Sequence, residues 1–309
     1  MNRRNAIDLS TTIGSIVLSN PVLTAAGTSG HGAELGAYVD LSSLGAVVVK
    51  SLAAEPWPGN PPPRLKPVRF GMLNSVGLQG PGVAAWLEDD LPCLIAAGAI
   101  VVASIWGRSI EEFALAAKLL SGAPDAVVAV EVNVSCPNLD EDELLFAMSP
   151  IATEAALDAA KVCGRPLWAK LSPAADDLAA VAAAALDAGA EALTLVNTMP
   201  ADALGLAAEG RKLGSGAGGL SGPALRPFAH AAVTEVVASL PNSSIVAAGG
   251  IVSAEDALAY LRAGARAVEV GTATFLDPRS VARVLEGLRR ICTQGGFNSL
   301  AELRRGERG

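Results

Sequence analysis

Short apolar runs alternate with Ala-rich segments along most of the chain. Eight of the runs, VLTAA, GAVVVK, AIVVAS, AVVAVEVNV, LWAKLS, ALTLVN, IVAAGG and AVEVGT, are apolar at nearly every position. A strand with one wet face alternates with period two, so continuous runs predict strands covered on both faces. The segments between them, such as SIEEFALAAKLLSG, SPIATEAALDAAKVC, DDLAAVAAAALDAGA, RPFAHAAVTEVVASL and SAEDALAYLRAGA, predict helices. Eight such repeats predict an α/β fold, a (β/α)8 TIM barrel, for which about 250 residues is typical. A doubly wound open sheet is the alternative, but AAGTSGHG after the first strand does not fit its glycine fingerprint. Ahead of the barrel, IDLSTTIGSIVLSNPV predicts an N-terminal β-hairpin turning at TIG. The whole of 1–309 is expected to be one barrel domain.

Two inserts interrupt the alternation. Ser51–Gly82 is rich in Pro and Gly and cannot be a helix; Thr198–Pro223 is similar, with a Gly-rich tail. Both follow strands, which puts both rim loops on the barrel's C-terminal face, where barrel enzymes carry their chemistry.

Composition narrows the class. With 51% hydrophobic and 17% charged residues the chain can bury a large core and is not disordered. A net charge of −8 without a Lys/Arg block argues against nucleic acid as a partner. MNRRNAIDLS lacks the apolar stretch of a secretory signal, and no run is long enough to span a membrane, so a cytoplasmic protein is expected. The cysteines, Cys93, Cys136, Cys163 and Cys292, are scattered without a CxxC pair, so neither a metal nor an iron–sulfur site is expected in this chain alone.

Polar residues and glycines gather where the predicted strands stop. They are Lys50; Ser104; Asn133, Ser135 and Cys136; Lys170; Asn197 and Thr198; Gly249 and Gly250; and Gly271 and Thr272. Singly, each reads as a solvated loop residue; seven strands ending this way on one rim point to a site. The glycines after strands seven and eight suit a phosphate, with Ser253 predicted to cap the following helix; tight turns are the alternative reading. Lys170, between apolar neighbours, requires an acidic partner. That partner is either a flavin, whose N1–O2 edge gains negative charge on reduction, or a barrel Glu or Asp; the same choice stands for Lys50, with a substrate carboxylate as its ligand. Asn74, Asn133, Asn138 and Asn197 offer donors and acceptors for a flat imide-like edge, and turn formation is the rival reading, above all for Asn74. Cys136 stands after a strand and before a Pro, between two amides, which sets it apart from Cys93, Cys163 and Cys292, expected to be buried apolar thiols. His31 and His230 read as peripheral.

NPVLTAAGTSG, VVVKS, GNPPPRL, GMLNSVGLQGPG, EVNVSCPN, AKLSP, LVNT, GGLSGPALRP, AAGGI and EVGTA, in this order, resemble the dihydroorotate dehydrogenases over nearly the whole chain. The resemblance implies an FMN-binding barrel that oxidises dihydroorotate to orotate in pyrimidine biosynthesis. A cysteine at the base position is similar to class 1, and GNPPPRL with GLSGPALRP to its B-type. That type implies a separate electron-transfer subunit carrying FAD and an iron–sulfur cluster, and a homodimeric catalytic core is the expected assembly. By motif, Cys136 corresponds to the catalytic base. Ala26, Lys50, Ser51, Ser104, Asn133, Lys170, Val196, Gly222, Gly249, Gly250, Gly271 and Thr272 correspond to positions around FMN. Lys50, Asn74, Ser75, Val76, Gly77, Leu78, Asn133, Asn138, Asn197 and Thr198 correspond to positions around the substrate.

The chain departs from the family's usual pattern at Ala26, where Ser is common, at Ser104, where Asn is common, and at Gly80, where Asn is common. The segment LDEDELLFAMSP carries four acids in place of the usual glycines, and TMPADALG also differs. These two loops bear on closure and on the electron acceptor. They keep two alternatives open: an FMN barrel acting on another dihydropyrimidine, and a non-catalytic paralogue that binds FMN or orotate.

Overall fold

The computed structural model describes residues 7–135 and 146–306. Its strands, in chain order, are β1 (Thr11–Ile13), β2 (Ile16–Leu18), β3 (Val22–Thr24), β4 (Val47–Val48), β5 (Leu65–Val68), β6 (Gly71–Asn74) and β7 (Val101–Ile105). They continue with β8 (Val127–Asn133), β9 (Leu167–Leu171), β10 (Ala192–Leu195), β11 (Met199–Pro200), β12 (Gly219–Ser221), β13 (Ile245–Ala248) and β14 (Ala267–Val270). Eight of them pair in parallel in the order β3-β14-β13-β10-β9-β8-β7-β4, and a parallel bridge from Leu23 to Ala46 joins the two ends. These are the eight runs that the sequence marks as apolar, closed into the expected barrel.

The predicted helices form outside it, at Ile110–Leu120, Pro150–Ala160, Leu178–Asp187, Arg226–Ser239 and Ala254–Arg262. Four of these starts, all but that of Arg226–Ser239, are set by side chains that accept orphan backbone N–H groups. Ser109, Ser149 and Asp177 each cap in this way, and Ser253 closes a reciprocal capping box with Asp256.

Inside the barrel, every strand contributes to an apolar bottom layer: Leu23, Val48, Val102, Ala129, Trp168, Ala192, Val246 and Ala267. Ile13 and Leu18 of the β1–β2 hairpin pack against this layer and close the barrel's N-terminal end. Because side chains alternate across a strand, the residue two further on points inward one layer higher. That rule lifts Lys50, Ser104, Glu131, Lys170, Thr194 and Glu269 into the layer beneath the C-terminal mouth.

The inserts are not plain loops. β5 and β6 of the first pair with β12 and β11 of the second in an antiparallel sheet, ordered β11-β12-β6-β5. Strands of two to four residues, rich in Gly and Pro, carry no readable period, which hid this sheet from the sequence. Cys93 also departs from expectation. It is exposed, because Leu91 and Leu94 take the buried positions of its helix, whereas Cys163 and Cys292 are buried as expected. His230 is half-buried, its ring 5.4 Å from that of Tyr260.

Candidate active site

The polar layer is one connected network. Glu131, fully buried, accepts from Ser104 Oγ at 3.1 Å and from Thr194 Oγ1 at 2.9 Å. Lys170 Nζ lies 2.8 Å from Glu269 Oε2 and 3.7 Å from Glu131 Oε1. The single hydroxyl proton of Ser104 goes to Glu131, so Ser51 Oγ donates to Ser104 at 2.9 Å and accepts from Asn133 Nδ2 at 3.4 Å. Asn133 Oδ1 in turn accepts from Ser135 N at 3.1 Å and Asn197 Nδ2 at 3.3 Å. The network runs from the β10 end through β8 and β7 to β9 and β14, and it orients Ser51, Asn133, Lys170 and Asn197 at the mouth.

Above it lies a cleft of about 220 Å³ between the barrel mouth and the insert sheet. Lys50, Ser51, Asn133 and Lys170 form its floor, with Asn197 and Thr198 beside them. Asn74, Val76, Gly77 and Leu78 come down from the insert after β6. Asn74 is held by its own donation to Gly219 O at 3.2 Å, and Leu78 adopts a left-handed φ of 58°, unusual for a side-chain-bearing residue. A second lobe of about 80 Å³ opens beside the first and shares Ala26, Lys170, Asn197 and Thr272 with it. Val196, Gly222, Gly249, Gly250 and Gly271 line this lobe.

Gly249 and Gly250 have φ of 132° and 71°, and a Cβ on Gly250 would stand 2.6 Å from Arg226 Cβ. Turn geometry therefore requires glycine at these two positions, and the same turn exposes backbone to the lobe. The N–H groups of Val252 and Ser253 are taken by Asp256 Oδ2 at 3.0 and 3.1 Å, and Arg226 pairs with Asp256. The helix start is thus satisfied by its own carboxylate, and the glycine turns line the lobe.

The structure gathers most of the sequence candidates on one cleft and sets two of them off it. Ser104 sits beneath the floor, fully buried, as a link in the network. Ser75 turns away, bonded to Ser215 and accepting from Asn60 Nδ2 at 2.9 Å. Cys136 and Asn138 lie outside the described residues. Sequence reasoning missed Glu131, Thr194 and Glu269, although a Glu inside an otherwise apolar strand was the available signal. It also missed Thr28, Ser221 and Phe275, for which neither spacing nor neighbours gave a sign.

The two lysines differ. Burial alone would push the Lys170 ammonium down, but the charges of Glu131 and Glu269 outweigh it and hold the group above its usual value. Lys50 makes no ion pair among the described residues; burial, with the Lys170 charge behind it, lowers its pKa to about 8. The barrel-acid reading therefore applies to Lys170, and Lys50 is the cation left facing the cleft. Burial, then Lys50, also lowers the pKa of His31, whose Nε2 is enclosed without a partner among the described residues. For Glu269, burial outweighs Lys170 and raises the carboxyl.

A parallel barrel with a two-lobed polar cleft at the C-terminal ends of its strands defines an α/β-barrel enzyme. The dihydroorotate dehydrogenase family model matches residues 8–292, and the chain belongs to that family. It is 43% identical over 292 residues to a protein of Desulforudis audaxviator, covering 94% of each chain. It is 41% identical to one of Alkaliphilus metalliredigens, covering 96% of this chain and 98% of that protein, and 42% identical to one of Alkaliphilus oremlandii, covering 98% and 99%. All three are named dihydroorotate dehydrogenase B (NAD(+)), catalytic subunit. The family is flavin-dependent. A half-buried Lys50 without an ion pair among the described residues, an enclosed Ser135 hydroxyl likewise without a partner among them, and the glycine-turned second lobe fit a flat group with a polar edge and an anionic tail.

Proposed function

We propose that this chain is the catalytic subunit of a class 1, B-type dihydroorotate dehydrogenase, which oxidises dihydroorotate to orotate with FMN in pyrimidine biosynthesis. The observation that carries the reading is the Lys50 ammonium, without an ion pair among the described residues, beside Asn74, Asn133 and Asn197 in one cleft, in a chain matched to its family over 8–292. FMN, when bound, would supply the acceptor for the hydride that leaves C6 of the substrate. Lys170, Ser51, Asn133 and Val196 would hold its ring, and Gly222, Gly249, Gly250, Gly271 and Thr272 its phosphate. Lys50 attracts the substrate carboxylate, and the Asn74, Asn133, Asn138 and Asn197 amides read the imide edge and fix the ring's orientation. Cys136 takes the C5 proton, which is acidic because a carbonyl adjoins it. An ordinary thiol has a pKa of about 8.5, so the reactive thiolate is a minority at neutral pH. The reduced chain passes its electrons to a partner subunit that holds FAD and an iron–sulfur cluster, around a homodimeric core in the cytoplasm.

The test is the visible spectrum of the purified protein, followed by anaerobic addition of dihydroorotate. A flavin spectrum that bleaches supports the proposal. A colourless protein that cannot be reconstituted with FMN, or one bleached by dihydrouracil and not by dihydroorotate, rejects it.

A further inference from the structure

We propose that Glu269 is the proton-holding group beneath the cofactor cleft, its carboxyl protonated at neutral pH and ionised in alkaline solution, so that it sets the charge a bound flavin meets. The part concerning flavin rests on the FMN reading above.

The geometry comes first. Glu131, Lys170 and Glu269 are 0%, 5% and 1% exposed, and their charged ends form a single cluster. One ammonium cannot neutralise two carboxylates, and the surplus negative charge has no water to stabilise it. One carboxyl must therefore keep a proton, and the surroundings decide which. Both oxygens of Glu131 accept hydroxyl donors, from Ser104 and from Thr194, in addition to the lysine. Glu269 has one donor, Lys170 on Oε2, and otherwise faces the Glu131 carboxylate; no donor reaches its enclosed Oε1 among the described residues. Donors stabilise the carboxylate of Glu131; their scarcity, with the Glu131 charge beside it, leaves Glu269 as the acid. Glu269 lines the second lobe next to Gly271 and Lys170, so that proton lies at the cleft wall.

The charged groups facing Glu269 are Lys170 from β9 and Glu131 from β8, with Lys50 acting on Lys170 from beyond β4. The strands that flank it, β3 and β13, present no titratable side chain. Burial is the largest influence on the carboxyl and the nearby Glu131 adds to it; against Lys170 they raise its pKa to about 8. No bond other than O–H is involved: above that pH the proton passes to solvent and a negative charge remains under the cofactor.

Reduction adds negative charge to a flavin, so an ionised Glu269 opposes it and a neutral one does not. Glu269→Gln keeps the shape of the protonated acid and cannot ionise. Spectroelectrochemical titration of the FMN-loaded wild type and variant between about pH 6 and about pH 10 separates the possibilities. The two midpoint potentials should coincide at the acid end and diverge above about pH 8, the variant becoming the more easily reduced. The expected divergence is at least tenfold in the reduced-to-oxidised ratio, about 30 mV for a two-electron couple. A constant offset at every pH, or no divergence, overturns the proposal.

A readout without flavin keeps the two readings apart. The infrared carbonyl band of a carboxylic acid should be present in the flavin-free wild type at neutral pH and lost in Glu269→Gln. Should that variant not fold, Glu131→Gln tests the premise that the two carboxyls share one proton: with Glu131 neutral, Glu269 pairs with Lys170 as a carboxylate and the band disappears. A band that persists in either variant, or is missing from the wild type, overturns the proposal. A protein that shows the band and never binds FMN leaves Glu269 protonated as stated and defeats the function proposed above.

Discussion

Lys50 and Lys170 both follow apolar strand residues at the barrel mouth, yet their surroundings make them opposites. Lys170 is held by two glutamates, whereas Lys50 faces the cleft with no counter-charge among the described residues. With a folded pKa of about 8 against an ordinary 10.5, Lys50 burdens the fold in its charged form. Between those values the unfolded chain keeps the proton and the folded one has lost it, so stability rises with pH across that window; below about 8 the full cost is present. Lys50→Met should therefore stabilise the flavin-free protein at neutral pH by roughly 1–3 kcal/mol, a gain that shrinks to nothing above the ordinary lysine range. Urea unfolding at neutral and strongly alkaline pH measures it, and the same variant should lose affinity for orotate. At Cys136 the expectation is kinetic: Cys136→Ser should slow flavin bleaching by dihydroorotate roughly 100-fold or more, followed by rapid mixing. In the wild type that rate should climb with pH as the thiolate forms, and an unchanged variant rate would remove Cys136 from its role.

At the scale of elements, the cleft depends on the sheet that joins the two inserts. Gly219 of β12 pairs with Asn74 of β6, and the Asn74 side chain bonds to the Gly219 carbonyl, so the roof and a cleft-lining amide are fixed together. Gly71 begins β6 where an added Cβ would run into the Ser221 carbonyl oxygen of β12. Gly71→Ala should cost about 1–3 kcal/mol through overpacking and weaken orotate binding more than FMN binding. Thermal unfolding and paired ligand titrations measure the two effects. This sheet was illegible beforehand because its strands are short and its central pair, β6 with β12, joins residues more than a hundred positions apart, which no local period announces. The barrel strands and the capped helices were legible because burial on both faces, amphipathic spacing and Ser or Asp caps each leave a local trace.

At the scale of the molecule, no helix among the described residues is long and apolar enough to cross a membrane. The cleft opens at one end of the barrel, and the hairpin with Ile13 and Leu18 closes the other. If the B-type reading holds, the chain alone should be reduced by dihydroorotate and yet make little NADH. Addition of an electron-transfer subunit with FAD and an iron–sulfur cluster should raise anaerobic NADH formation at least tenfold at matched flavin concentration. Rapid NADH formation by the isolated chain would place the acceptor site on this subunit instead.

The sequence by itself determined the barrel, because eight doubly buried strands and their covering helices follow from side-chain periodicity alone. It also determined where the polar ends gather, since parallel connectivity sends all the strand ends to one rim. Only the tertiary structure decided which charges meet. Glu131 and Glu269 are 138 positions apart in the chain and reach one lysine through strand register and barrel closure, which no local pattern encodes.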